Sequence, residues 1–127
     1  MAEPLSKAAR LALPQVAFAK FLEKKYDEAI SLYRQFLDEV SGDLEYEFLA
    51  RLALAACHEA KGELKEARET LNAVLEHPEN PFKETAMLNM ARLYRLENMT
   101  DKSKEILRQF IEEYPASRFL PMAKALL

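Results

Sequence analysis

The sequence predicts an all-α protein, and three observations carry that prediction. Ala, Leu, Glu, Lys and Arg dominate the 127 residues while only two glycines occur, Gly42 and Gly62, so the summed helix propensity is high from end to end. Apolar residues recur at i, i+3, i+4 and i+7 through Ala29, Ile30, Leu32, Tyr33, Phe36, Leu37 and Val40, which is the spacing of one helix face. The pattern then returns twice along the chain. Hydrophobic residues make up 50% and charged residues 31%, a balance that supports a packed core and not a disordered chain. One domain spanning 1–127 is expected at this length.

Taken in order, Met1 to Glu3 should be loose, and Leu5, Ala8, Ala9, Ala12 and Leu13 then have helical spacing. Pro14 should kink the helix or restart it, because an interior proline removes one backbone bond and clashes with the carbonyl four residues back; a restart is preferred, which sets off the N-terminal segment (4–13) from a helix reaching about Lys25. A helix from Tyr26 to Val40 follows. Ser41-Gly42-Asp43 stops it and caps the next, with Gly42 free to turn left-handed and Asp43 able to accept from unpaired N–H groups. Helices are expected over Leu44–Lys61 and Glu63–Glu76, turning at Gly62. In the break His77-Pro78-Glu79-Asn80-Pro81, Asn80 reads as an N-cap and Pro81 as the first helical residue. Phe82–Glu97 and Thr100–Glu113 form the next two helices around Asn98-Met99, and Pro115 ends them. Ser117 should cap a closing helix, Arg118–Leu127, in which Pro121 falls among the residues whose N–H groups have no partner.

The repeat has a register. Val16-Ala17 matches Leu54-Ala55 and Met90-Ala91, while Ala29 matches Ala67 and Ser103, and Phe36-Leu37 matches Val74-Leu75 and Phe110-Ile111. The offset is 38 between the first and second units and 36 between the second and third throughout. Each helix thus has a small residue midway, which lets paired helices approach closely. The units are about 11–42, 44–79 and 81–115, followed by a capping segment 117–127.

On these residues the chain resembles the tetratricopeptide-repeat family. The family pattern is aromatic-x2-Leu-Gly-x2-Tyr, then Ala-x3-aromatic, then Pro. Unit three offers Met87-x2-Met90-Ala91-x2-Tyr94, Ser103-x3-Leu107 and Pro115. Unit one offers Leu13-x2-Val16-Ala17-x2-Lys20 and Tyr26-Asp27-Glu28-Ala29-Ile30-x2-Tyr33, and unit two Leu54-Ala55-x2-His58, Gly62 and Ala67-x3-Leu71. Tryptophan is absent, Ala replaces Gly in every first helix, and the units exceed the usual 34 residues, so the excess should lie in the loops between units. The resemblance implies a right-handed α-solenoid of three helix pairs with a C-terminal capping helix. Tyr114-Pro115-Ala116-Ser117 with Ala123-x2-Leu126 also resembles bacterial envelope-associated domains of this family, which usually follow a membrane anchor.

No catalytic constellation is visible. Cys57 and His58 are adjacent, so a helix points them about 100° apart and they cannot act as a nucleophile–base pair. Cys57 reads as a small core hydrophobe, and His58, where the family has Tyr, as a packed, hydrogen-bonded imidazole. His77 has no Cys or His at metal spacing. Carboxylates such as Glu63, Glu66, Glu69, Asp101 and Glu105 lie on polar faces, without the pocket that catalytic pairs require. Hence no enzyme, cofactor or metal is expected. The single cysteine excludes an intramolecular disulfide. The net charge of −3 argues against nucleic acid, though residues 83–127, with 8 Lys+Arg against 6 Asp+Glu, are mildly basic. No run approaches the roughly 20 apolar residues of a spanning helix, and the N-terminus lacks a secretory pattern. As encoded the chain is expected in the cytoplasm, or in the cell envelope if it is a piece of a larger anchored protein.

The resemblance also implies a binding surface, since the first helix of each unit lines the concave side of such stacks. The residues not spent on the pair seam are Leu11, Phe18, Phe21 and Leu22, then Leu49, Leu52, Ala56, Glu59 and Ala60, then Thr85, Leu88, Arg92, Arg95 and Leu96. The candidate partner-binding residues are Phe18, Phe21, Leu49, Leu52, Leu88, Arg92 and Arg95. They would hold a peptide or helix with an apolar stripe and an acidic end, and the function implied is that of a protein-interaction scaffold or adaptor. The alternative is a structural self-association module, such as a homodimer, in which Leu11, Phe18 and Phe21 pack against another copy or against the N-terminal segment. Some members grip C-terminal carboxylates with a clamp of Lys, Arg and Asn. Here Pro14, Phe18, Ala53 and Thr85 stand in clamp slots and Asn89 stands where Arg is usual, so binding of that kind is not expected.

Overall fold

A computed structural model describes residues 5–127, and the expected looseness of Met1 to Glu3 lies outside them. The described residues form seven helices and no strand: α1 (Lys7–Leu22), α2 (Tyr26–Glu39), α3 (Leu44–Ala60), α4 (Leu64–Leu75), α5 (Lys83–Leu96), α6 (Thr100–Glu113) and α7 (Leu120–Leu126). They fall into two compact units, residues 1–70 and 71–127. In the first, α1 packs on α2 and α2 on α3; in the second, α5 packs on α6 and α6 on α7.

The small residues of the repeat register are at the centre of this packing. Ala17, Ala29, Ala55, Ala67, Ala91 and Ser103 are all buried. In the first unit Ala17 and Ala29 meet Ile30, Tyr33, Leu54 and Cys57, and Phe36 meets Val40 and Ala50. In the second, Met87, Ala91, Leu107, Phe110 and Ala123 form the core. Ser103 replaces the alanine of the other units without leaving a polar orphan, because its hydroxyl donates to the Ala91 carbonyl on α5 at 2.8 Å.

The turns repeat as faithfully as the helices. After α1, α3 and α5 the chain passes through one left-handed residue at the same register position: Lys24 (φ 63°), Gly62 (φ 80°) and Asn98 (φ 62°). Each N–H donates three residues back, to Phe21, Glu59 and Arg95, and the following N–H of Lys25, Glu63 and Met99 donates to Lys20, His58 and Tyr94. That pair of bonds is the Schellman closure of a helix C-terminus. Lysine at φ 63° is strained where glycine is not. Lys24→Gly should therefore stabilise the protein by about 0.5–1 kcal/mol, read as a higher urea midpoint.

Two starts differ from expectation. No break occurs at Pro14: α1 runs through it, capped by Ser6, whose hydroxyl accepts from the Ala9 N–H at 3.1 Å. A proline lacks only its own N–H, so one bond, to the Arg10 carbonyl, is missing, and the flanking turns suffice to hold the helix. Residues 7–13 are thus part of α1 and cannot fold back over Phe18. The other difference is that Pro81 is not the first residue of α5, which begins at Lys83 with Phe82 at the cap position. Asn80 works from outside instead. Its side-chain oxygen accepts from the Phe82 N–H and its amide donates to the Val74 carbonyl, both at 2.8 Å. Asn80 is buried, and Asn80→Ala should cost about 1–3 kcal/mol by orphaning both backbone groups. Asn80→Asp, which keeps the acceptor alone, should recover part of that in the same denaturation experiment. The closing helix is shorter than expected and starts at Leu120, because Ser117 spends its hydroxyl on the Phe119 N–H in a turn before it.

Candidate functional site

The first unit contains a trough whose walls are α1 and α3 and whose floor is α2. Its middle is an open cavity of about 360 Å³. From α1 it is lined by Leu11, Pro14 and Gln15, from α2 by Tyr33 and Phe36, and from α3 by Tyr46, Leu49, Ala50 and Ala53. Tyr33 and Ala53 also line a smaller cavity of about 150 Å³ with Phe18, Phe21 and Ala56. At the other end, Leu11 and Tyr46 adjoin a polar cavity of about 270 Å³ with Lys7, Arg10, Glu39, Val40, Ser41 and Asp43. Neighbouring cavities share lining residues, so the three lie in a row along the trough.

Local sequence explains the shape. The α1 wall comes from residues about one turn apart, Leu11, Pro14 or Gln15, Phe18 and Phe21, which a helix places on one face. The α3 wall opposes it with Leu49 and then Ala50, Ala53 and Ala56, whose small side chains leave the space open. Phe18 stacks with Phe21 (ring centroids 6.4 Å apart), and Phe21 meets the edge of Tyr26 at 5.5 Å. Tyr46 sits edge-on to Phe36 at 5.9 Å. Phe18 remains 53% exposed and Leu49 43%, so both apolar side chains stand open to solvent at the edge of the trough.

Of the sequence-predicted residues, the structure brings Phe18, Phe21 and Leu49 to this trough. Phe21 is half-buried and also packs on the core. Leu52 is half-buried and lies outside these linings. Leu88 packs against the core of the second unit. Arg92 and Arg95 are exposed on α5, where the Arg92 guanidinium donates to the Asn89 side-chain oxygen at 3.1 Å. Sequence reasoning placed Leu11 and Ala56 on the binding surface but not Tyr33, Phe36, Tyr46, Gln15 or Ala50. The signal was partly present, since Pro14, Phe18 and Ala53 had been matched to groove-facing clamp slots. In the structure these slots are apolar.

Ionisable groups near the trough have structural partners. His58 is buried, with Nδ1 3.0 Å from a Glu63 carboxylate oxygen, so Glu63 closes the α3 turn and is not on an unpaired helix face. This hydrogen bond to His58, helped by Lys61, lowers the Glu63 pKa. Lys61 in turn bonds Asp27 of α2, which raises its pKa. Cys57 is fully buried and burial pushes its thiol up to about 11, which leaves it protonated and unreactive at neutral pH. Among the described residues no group of three or more His, Cys, Asp or Glu could hold a metal ion, and no helix is long and apolar enough to cross a membrane.

Two family models, both described as tetratricopeptide repeat, match residues 20–83 and 85–117. No curated protein matches the chain.

Proposed function

The chain belongs to the tetratricopeptide-repeat family, whose repeats are generally protein–protein interaction modules, and from that premise we propose that it is a scaffold or adaptor holding a peptide or helix of a partner in the α1–α3 trough. The observation that supports this reading is the apolar lining left open to solvent. Phe18 and Leu49 stand at its rim with about half their surface uncovered, although burying such a side chain is worth about 1.5–3 kcal/mol. A partner supplies that burial. Phe18, Phe21 and Leu49 are assigned to its apolar face, and outside the trough Leu52 on α3 with Leu88, Arg92 and Arg95 on α5 are assigned as further contacts, with the arginines suited to acidic residues.

The test is site-specific photocrosslinking in cells, with the crosslinking side chain at Phe18, at Leu49, or at Gln35, which is exposed on α2. A heterologous protein should be captured from the first two positions and not from the third, and Arg92→Glu with Arg95→Glu should weaken that capture. Capture of nothing but a second copy, with a dimer mass that disappears on Phe18→Glu plus Phe21→Glu, would replace the adaptor with a self-association module.

A further inference from the structure

We infer that the occupant of the trough is an amphipathic α-helix, uncharged on its buried face, with bulky apolar side chains one to two turns apart. The inference rests on the trough being the binding surface and says what form of chain it accepts. Charge comes first. From Leu11 to Phe21 every residue lining the two apolar cavities is uncharged. At the polar end Lys7 and Arg10 are matched by Glu39 and Asp43, so that end sums to neutral and gives no pull on an acidic or a basic tail. A charged side chain laid in either apolar cavity would lose water and gain no counter-ion.

Hydrogen bonding then separates a helix from an extended peptide. An extended segment presents one N–H and one C=O per residue, and all of them need partners when buried. The trough has few to offer. Along the two apolar cavities the walls are helices whose backbone groups are spent internally, apart from the Arg10 carbonyl released by Pro14. The remaining polar side chains of the apolar cavities are Gln15 and the tyrosines 33 and 46. A helix satisfies its own backbone and brings only side chains to the walls.

Spacing sets the anchors. On α1 the linings of the two cavities are offset by about six residues and on α3 by about five, roughly 7–9 Å along the helix axis. That lies between one helical turn and two.

The experiment is selection of unbiased displayed peptides of about fourteen residues, some four helical turns, on the full chain. Winners should carry two bulky apolar residues four or seven apart on an uncharged face, and synthesised winners should gain helical circular dichroism on mixing. Affinity should fall at least about tenfold on Leu49→Glu and, separately, on Phe18→Glu. Both positions are exposed, so both variants should keep the parental melting temperature. Winners lost on both variants but rich in proline, or gaining no helicity, overturn the helix while leaving the trough as the binding surface. Winners indifferent to both variants overturn the trough reading and the inference with it. No winner above background, or a homodimer that Leu49→Glu dissolves, also overturns the inference, the latter by making a second copy the occupant.

Discussion

Phe110→Ala should destabilise the protein by about 3–5 kcal/mol, the largest loss expected from any single truncation in the chain. Phe110 has no exposed surface and is the largest fully buried side chain. It touches neighbours from several elements, with Met87 and Ala91 on α5, Leu107 on its own helix and Ala123 on α7 in one cluster, and its ring lies 5.4 Å from that of Tyr114. Removing it deletes transfer energy and leaves a cavity that three helices would have to close together. Domains of this size have about 5–15 kcal/mol in total, so the melting temperature should fall by at least about 10 °C. Hydrogen exchange should show the lost protection first in α5, α6 and α7. A fall of only a few degrees would mean that the helices collapse around the missing ring.

Ala91→Leu tests the opposite error, too much volume. Ala91 is 1% exposed, and the Ser103 hydroxyl reaches its carbonyl across the α5–α6 seam at 2.8 Å. Two helices joined by so short a side chain have no room for three more carbons. Overpacking should cost about 1–3 kcal/mol, and the hydrogen bond should lengthen or break. Ala125→Leu, at an exposed position of α7, is the control and should lie within about 0.5 kcal/mol of the parent. If both variants melt alike, Ala91 does not set the distance between the helices.

The two variants bear on how much of the structure could be read from residues alone. Small residues at fixed offsets identified the helix contacts, because only a close approach needs alanine at Ala17, Ala55 and Ala91 and something no larger than serine at Ser103. Gly62 marked its turn openly and Asn98 nearly so. Lys24 did not, since nothing in a lysine announces a left-handed backbone; only its position in the repeat could have. Pro14 misled for a related reason. Local rules give its cost, but whether a helix breaks depends on what the flanking turns gain by packing on α2. Asn80 was recognised as a capping residue, yet the choice between a cap and a turn two residues earlier is made by the distant Val74 carbonyl. The trough was legible in part. Phe18, Phe21 and Leu49 follow from helix faces, whereas Tyr33 and Phe36 were read as core of α2. They are core, and where α1 and α3 stand apart they are floor as well.

Cys57 makes the first unit observable. It is the only thiol in the chain, wholly enclosed by α1, α2 and α3 residues, and held protonated by its surroundings. A disulfide reagent in solution can reach it only when those helices part. Labelling in native buffer therefore becomes a clock for that opening, with no dye or mutation introduced. When opening and closing are fast compared with labelling, the ratio of the observed rate to that of an unprotected thiol is an equilibrium constant. The second unit carries no sulfhydryl, so this clock hears only residues 1–70. Run beside circular dichroism, which sums every helix, it would reveal whether the two halves of the chain come apart in one event or two.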